Sequence, residues 1–160
     1  MTSTDRHTKP GLGEHWLLEC YGPLSRYDEH QLEKLMHQAA TAGGATVLMC
    51  HTHRFPASKH HHRLSNTLRE AHAGVTGVLM LAESHISVHT WPEHNYAAFD
   101  IFMCSGSDPK AASEVIRQSC QETDIRMTRI SRGMHASLGT PSGVRSEVGC
   151  VRSHSDLRES

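Results

Sequence analysis

The sequence has no surplus of charge of either sign, because 16 Lys and Arg residues stand against 17 Asp and Glu residues, for a formal net charge of -1. Proteins that bind nucleic acid or anionic lipid surfaces usually carry a clear basic surplus. The sequence also lacks an apolar run of the roughly 18 to 20 residues that a membrane-spanning helix needs, and its first residues lack the apolar segment of a signal peptide. We therefore expect a soluble cytoplasmic protein without nucleic acid or membrane partners.

Cysteine is present, but not in a pattern that builds a framework. The five cysteines are an odd number and include no Cys-x-x-Cys pair, which excludes a disulfide scaffold or a thiolate zinc site of the usual spacing. Histidine is unusually frequent, with 15 residues, and three of them are consecutive at 60–62. That polar stretch has no fixed element to hold ligands in tetrahedral geometry, so we interpret it as a solvated loop and predict no metal site.

The length of 160 residues suits one domain with one hydrophobic core. Apolar periodicity and turn residues predict six strands and two helices, the helices beginning at the N-caps Asp28 and Asp108. The predicted strands cover 15–21, 46–50, 74–81, 86–89, 97–103 and 125–130, and the predicted helices run to Gly43 and over 109–120. We expect a flexible leader over 1–12, one domain over 13–132 containing a long loop over 54–73, and a polar flexible tail over 133–160.

The order of these elements predicts an α+β fold, a two-layer sandwich with one antiparallel sheet and its helices on one face. Such a sheet leaves its second face uncovered. Face-to-face pairing of two subunits would cover it and give a four-layer αββα sandwich.

Residues 82–93 concentrate polar and ionisable side chains beside an apolar strand. A Ser-His hydrolase would need an oxyanion hole, usually at a Gly-x-Ser-x-Gly elbow, which is absent. A metal site at His85 and His89 would lack the helical His-Glu-x-x-His pattern. A purely structural strand remains the third interpretation.

A resemblance to a known family adds to these interpretations. Two adjoining segments, Glu-Ser-His-Ile-Ser-Val-His-Thr-Trp-Pro-Glu at 83–93 and Tyr-Ala-Ala-Phe-Asp-Ile-Phe-Met-Cys at 96–104, resemble the signature of the bacterial and archaeal S-adenosylmethionine decarboxylase proenzymes. Shorter matches before them, at 13–15, 44–46, 53–55 and 74–78, follow the order of the family, and the resemblance covers roughly 13–132. It implies a self-cleaving, pyruvoyl-dependent decarboxylase that supplies decarboxylated S-adenosylmethionine for spermidine biosynthesis.

The resemblance implies cleavage between Glu83 and Ser84, which would give a β chain of 1–83 and an α chain of 84–160. The Ser84 hydroxyl would attack the Glu83 carbonyl, and elimination and hydrolysis would convert Ser84 into the pyruvoyl group, a covalent cofactor that binds the substrate amine as a Schiff base. His89 matches the base that removes the Ser84 α-proton, since histidines exchange protons near neutral pH. Thr76 matches a hydroxyl that stabilises the oxyanion.

The remaining matches concern the decarboxylation itself. Cys104 corresponds to the acid that protonates the product. Phe55 and Trp91 would stack on the adenine and attract the sulfonium of S-adenosylmethionine, and Glu93 would accept hydrogen bonds from the ribose. The family implies a homodimer of processed protomers.

Two rival functions stay open. Ornithine or arginine would replace S-adenosylmethionine as substrate if the loop between Phe55 and Gly74, longer than in the family, changes the pocket. A non-catalytic subunit that activates a true decarboxylase is the other rival.

The assigned roles also impose a geometric requirement, because strict alternation puts Ser84 and His89 on opposite faces of one strand. We therefore predict a bulge or bend between these two residues.

Overall fold

A computed structural model of the chain describes residues 11–55, 73–120, 124–133 and 147–151. The described residues form seven strands and two α-helices, together with two 3-10 turns at Pro23–Arg26 and Pro92–His94. The strands are β1 (Gly13–Tyr21), β2 (Val47–Arg54), β3 (Val75–Leu81), β4 (Ser84–Trp91), β5 (Tyr96–Cys104), β6 (Ile125–Arg132) and β7 (Glu147–Val151). The helices are α1 (Glu29–Ala42) and α2 (Pro109–Ser119). In the part of the chain that the structure describes, no helix combines the length and the apolar composition of a membrane span.

The strands form one sheet in the order β2-β3-β4-β5-β1-β6-β7. Every neighbouring pair is antiparallel. Strand β4, which carries most of the residues singled out by the sequence, therefore lies inside the sheet with β3 and β5 on its two sides. Its backbone is held by both neighbours, so the positions of its side chains are fixed along its whole length.

Both helices begin where the sequence predicts, and for the predicted reason. The Asp28 carboxylate accepts a hydrogen bond from the backbone N–H of Gln31, whose side chain in turn accepts one from the Asp28 N–H. This reciprocal capping box satisfies two backbone donors that a helix start otherwise leaves unpaired. The Asp108 carboxylate caps α2 with a single hydrogen bond, which it accepts from the backbone N–H of Ala111, and Pro109 occupies the first turn.

The helices cover only one face of the sheet. In β3, Leu79 is fully buried, whereas its neighbours Val78 and Met80 remain 39% and 43% exposed. Gly77 shows how closely α1 approaches, because a Cβ atom there would lie 3.1 Å from the Met36 side chain of the helix. The covered face and the helices share one hydrophobic core, whose largest members are Phe99, Leu18, Leu32, Met36, Leu79, Leu81, Ile86, Ile101 and Met103. Among the described residues, no helix packs on the other, open face, as the predicted α+β sandwich requires.

The structure corrects the sequence at the carboxyl end. We predicted a flexible tail over 133–160, but residues Glu147–Val151 form β7, which pairs with β6 at the edge of the sheet. An edge strand is held mainly by backbone hydrogen bonds, so a short segment can form one without the long apolar pattern on which the prediction relied.

Strand β1 begins at Gly13 and β6 ends at Arg132, the two ends of the predicted domain. Most of the long loop, with the three consecutive histidines, lies outside the described residues.

Candidate active site

The bond between Glu83 and Ser84 lies in a tight turn. Leu81 pairs with Ser84, so only Ala82 and Glu83 connect β3 to β4. Glu83 has a φ of 67°, a left-handed conformation that a side chain with a Cβ atom adopts at a cost of about 1 to 2 kcal/mol. The residue that contributes the carbonyl of the predicted scissile bond is therefore strained. Such strain often accompanies a functional site.

Cys104 holds both sides of this bond. Its thiol donates a hydrogen bond of 2.8 Å to the carbonyl oxygen of Glu83, and its backbone N–H donates one of 3.2 Å to the hydroxyl oxygen of Ser84. We refer to Glu83, Ser84 and Cys104 as the cleavage turn. The thiol is thus aimed at the oxygen on which negative charge develops when a nucleophile attacks the Glu83 carbonyl.

A second pair of predicted residues forms elsewhere on the sheet. The Thr76 hydroxyl lies 2.7 Å from Nδ1 of His89, because Thr76 and His89 are direct partners across β3 and β4. Both side chains are on the open face. A hydroxyl and an imidazole in contact can pass a proton between them, which suits the base role predicted for His89. The oxyanion role predicted for Thr76 is not met within one protomer, because Thr76 pairs with His89 and not with the turn at Glu83.

The predicted bulge between Ser84 and His89 is wrong. Strand β4 pairs in continuous register with β3 from Ser84 to His89 and with β5 from His85 to Trp91. Because both neighbours hold the strand residue by residue, no extra residue can loop out. At a rise of about 3.3 Å per residue, Ser84 and His89 are ~17 Å apart along β4, and alternation directs their side chains to opposite faces.

The predicted substrate contacts lie with His89 rather than with Ser84. Trp91 is 38% exposed, lies 5.9 Å from the His89 ring and stacks on Tyr96 at 5.4 Å. Phe55 is 47% exposed, and its backbone N–H bonds to Gly74, next to the start of β3. Glu93 is exposed in the 3-10 turn that follows β4. We refer to these three residues with Thr76 and His89 as the far-end group. One protomer therefore carries the predicted site in two separate parts.

A cavity of about 430 Å³ adjoins the cleavage turn. The cavity is lined by Leu12, Gly13, Glu83, Ser84, His85, Phe102, Arg132 and Gly133. The sequence predicted no role in the decarboxylase for His85, Phe102 or Arg132. The Arg132 guanidinium lies over the Phe102 ring at 5.2 Å. A positive charge beside a cavity suits an anionic ligand. His85 was visible in the motif, whereas nothing in the sequence connects residue 132 with Ser84.

His15 lies next to this cavity, on β1. Its ring is 6.2 Å from that of His85, and its Nε2 is buried and 3.6 Å from the Asp100 carboxylate, longer than a hydrogen bond. Burial lowers the pKa of His15 below its usual value, although the Asp100 carboxylate acts in the opposite direction. We therefore expect His15 to be neutral near pH 7, with its buried nitrogen facing Asp100.

Comparison with known proteins identifies the family of the chain. The family model described as S-adenosylmethionine decarboxylase matches residues 14–133. A curated S-adenosylmethionine decarboxylase proenzyme of Prochlorococcus marinus is 36% identical over 132 residues, covering 81% of this chain and 94% of the relative. A proenzyme of the same name from Methanococcus maripaludis strain C5 is 41% identical over 126 residues, covering 77% of this chain and 91% of the relative.

A solved structure gives the same result for the fold. The crystal structure of the adenosylmethionine decarboxylase from Aquifex aeolicus superposes with a TM-score of 0.63 at 26% identity. The alignment covers 82% of this chain and 99% of the other. The family model matches most of the chain, the relatives are more than 30% identical and the fold is shared, so the chain belongs to the S-adenosylmethionine decarboxylase family.

Proposed function

We propose that the chain is a self-processing proenzyme that cuts itself between Glu83 and Ser84 and then converts S-adenosylmethionine into its decarboxylated form and carbon dioxide. The observation that carries this proposal is the cleavage turn, where a strained carbonyl, a serine hydroxyl and a thiol donor meet. The proposal includes a role in spermidine biosynthesis and a cytoplasmic location.

The first step is an exchange of an amide for an ester. The Ser84 hydroxyl oxygen attacks the Glu83 carbonyl carbon, the C–N bond to Ser84 breaks, and its nitrogen takes up a proton to become an amine. The Cys104 thiol stabilises the oxyanion during the attack, because it already donates to the Glu83 oxygen. Release of the left-handed strain at Glu83 favours the step.

The second step needs a base at the Ser84 Cα. Removal of the α-proton expels the Glu83 carboxylate from Cβ and leaves a carbon–carbon double bond at residue 84. Tautomerisation and addition of water then release ammonia and leave a ketone. His89 has the chemistry for the proton transfer, but ~17 Å of strand separates it from Ser84 in the same protomer.

A second copy of the chain resolves this separation. The open face of the sheet carries the His89 and Thr76 side chains together with the exposed Val78 and Met80. Two such faces stacked about 10 Å apart, with one copy turned end for end, bring the far-end group of each copy over the cavity beside the cleavage turn of the other. Ser84 lines that cavity together with His85 and Phe102, so a base from the facing copy can approach the Ser84 Cα there. We therefore propose a homodimer with a four-layer αββα arrangement and two sites, each built from both copies.

The residues at the cleavage turn fit a pyruvoyl group made from Ser84, since the serine begins a strand directly after the bond to be cut. Such a group supplies a ketone that binds the substrate amine and withdraws electrons as carbon dioxide leaves. Cys104 stands beside it and delivers the proton that replaces the lost carboxylate. His85 and Arg132 line the adjoining cavity and shape its charge.

The far-end group has the chemistry to hold the nucleoside part of the substrate. The exposed rings of Phe55 and Trp91 offer faces for the adenine, and an aromatic face attracts a sulfonium cation. The exposed Glu93 carboxylate accepts hydrogen bonds from hydroxyl groups. Ornithine and arginine have neither an adenine nor a ribose, so these three residues favour S-adenosylmethionine over the rival substrates.

Intact-mass analysis of the purified full chain tests the cleavage. We expect two fragments, 1–83 and 84–160, the second lacking a free amino terminus, and an uncut Ser84→Ala variant. Ser87→Ala is the matched control, because Ser87 lies on the same strand but faces Asp100, and it should process normally. Carbon dioxide release from carboxyl-labelled S-adenosylmethionine, ornithine and arginine then identifies the substrate. An uncut wild-type chain would support the non-catalytic subunit instead.

A further inference from the structure

A group of metal-binding side chains lies outside the site described above, where α1 packs on the edge strand β2. Glu33 and His37 are one turn apart on α1, and Cys50 projects from β2 toward them. Their ligand atoms all lie within 4.8 Å of one another. The three residues come from two elements, so the cluster exists only in the folded protein.

We propose that Glu33, His37 and Cys50 form a zinc site with a fourth position open to water. A carboxylate oxygen, an imidazole nitrogen and a thiolate sulfur are the three ligand types that zinc takes in proteins. Bonds of about 2.0 to 2.3 Å in tetrahedral geometry place ligand atoms ~3.3 to 3.8 Å apart, so the cluster must contract by about 1 Å. The side chains of Glu33 and His37 are 46% and 42% exposed and can rotate that far.

The charges of the cluster also favour a cation. A divalent ion displaces the thiol proton of Cys50 and neutralises the thiolate and the Glu33 carboxylate together. The Glu33 carboxylate is 4.0 Å from Nε2 of His37, which leaves the two groups close but not hydrogen-bonded.

The site is accessible, and it joins the two layers of the fold. Glu33 and His37 also line an open cavity of about 640 Å³ along the outer side of α1, so an ion can enter from solvent. A bound ion ties the helix to an edge strand that, among the described strands, has a sheet neighbour on one side only. This predicts a stabilising role, independent of the decarboxylase chemistry.

The test must distinguish this cluster from the three consecutive histidines at 60–62, which also attract metal ions. A thiolate bound to Co²⁺ gives a charge-transfer absorption in the near ultraviolet, which histidine ligands alone do not give. We therefore propose titrating the full chain, reduced with a phosphine, with Co²⁺ and then displacing it with Zn²⁺. The expected result is one equivalent of the band, abolished in Cys50→Ser and retained in Cys104→Ser.

A second variant and a second measurement keep the test decisive if Cys50→Ser folds poorly. His37→Gln changes a half-exposed helix position and should weaken Co²⁺ binding at least 10-fold without loss of helical signal. Zn²⁺ should also raise the melting temperature of the wild-type chain more than that of His37→Gln, since an ion that binds only the folded state stabilises it. No thiolate band in the wild type, or a band unchanged in Cys50→Ser or His37→Gln, would overturn the proposal.

Discussion

The thiol of Cys104 donates a 2.8 Å hydrogen bond to the carbonyl oxygen of Glu83. Cys104 is the last residue of β5, and Glu83 directly precedes β4, the strand that pairs with β5. The sequence assigned Cys104 a single task, the protonation of the decarboxylated product. From its position in the uncut chain we propose an earlier task, the stabilisation of the oxyanion during self-cleavage. One side chain would then serve both reactions of the proenzyme.

Replacing the thiol separates these two tasks. We expect Cys104→Ala to slow the appearance of the 1–83 and 84–160 fragments by about 10² -fold, the usual effect of losing one oxyanion donor. Cys104→Ser keeps a hydroxyl donor and should restore much of the cleavage rate. Its rate of carbon dioxide release should remain ~10² to 10⁴-fold below that of the wild type, because the thiol that acts as the acid is missing. Time-resolved intact mass and the release assay measure the two effects. Cys50→Ser, a thiol remote from the turn, is the control, and cleavage of Cys104→Ala at the wild-type rate would contradict the assignment.

The separation of Ser84 and His89 predicts complementation between defective chains. Ser84→Ala and His89→Ala should each remain uncut when expressed alone. When the two are co-expressed, mixed dimers pair an intact Ser84 with an intact His89 from the other copy, so the His89→Ala chain should be cleaved. Distinct tags on the two chains allow mass spectrometry to identify which is cut. If His89 acted within its own chain, neither would be.

The strain at Glu83 predicts a stabilising substitution. In a Ser84→Ala background, which keeps the chain whole, Glu83→Gly should raise the free energy of unfolding by about 1 kcal/mol, because glycine adopts the left-handed conformation without a Cβ clash. Glu83→Ala is the matched control, since it removes the carboxylate but retains the Cβ atom, and should change little. Denaturant titration measures both.

The same substitution tests whether the strain assists cleavage. With Ser84 intact, Glu83→Gly should process about 5-fold more slowly, which is the rate equivalent of about 1 kcal/mol. Equal rates for Glu83→Gly and Glu83→Ala would show that the strain is not released in the rate-limiting step.

His15 predicts a pH dependence of stability. Its pKa is lowered in the folded chain, first by burial, so the unfolded chain binds more protons between that lowered value and about 6.5. The free energy of unfolding should therefore rise with pH through this window, and the contribution is lost as the pH falls. His15→Gln should lose less stability than the wild type between pH 7 and pH 5, measured by denaturant titration. The difference in the free energy of unfolding between the two chains at pH 8 serves as the reference, because at that pH His15 is neutral in both the folded and the unfolded state.

The fold was largely predictable because its local signals agree with its tertiary structure. Asp28 and Asp108 mark the helix starts with side chains that cap them, and β5 is a mainly apolar run of the kind that forms a strand. Strand β4 was predicted too short, at 86–89, because Ser84 and Trp91 at its two ends are polar or exposed. Residues 147–151 were missed for a related reason, since pairing at a sheet edge needs little apolar pattern.

The site was predictable as a set of residues but not as a geometry. The motif named Ser84, His89 and Cys104 and implied that they act together. It could not show that continuous pairing on both sides keeps β4 regular, and the bulge we expected was a device to bring Ser84 and His89 together in one chain. The cluster of Glu33, His37 and Cys50 was invisible for a different reason, because two elements bring it together and no short motif encodes it.

The unbroken register of β4 has a consequence for the newly made polypeptide. If His89 is the base, a solitary chain, with that base and its nucleophile at opposite ends of one straight strand, should not complete its own cleavage. At low concentration the rate of maturation should then depend on the square of the chain concentration, and dilution should preserve the uncut precursor. Assembly would act as a checkpoint, so that an electrophile able to react with free amines is produced only after a neighbouring subunit has enclosed it.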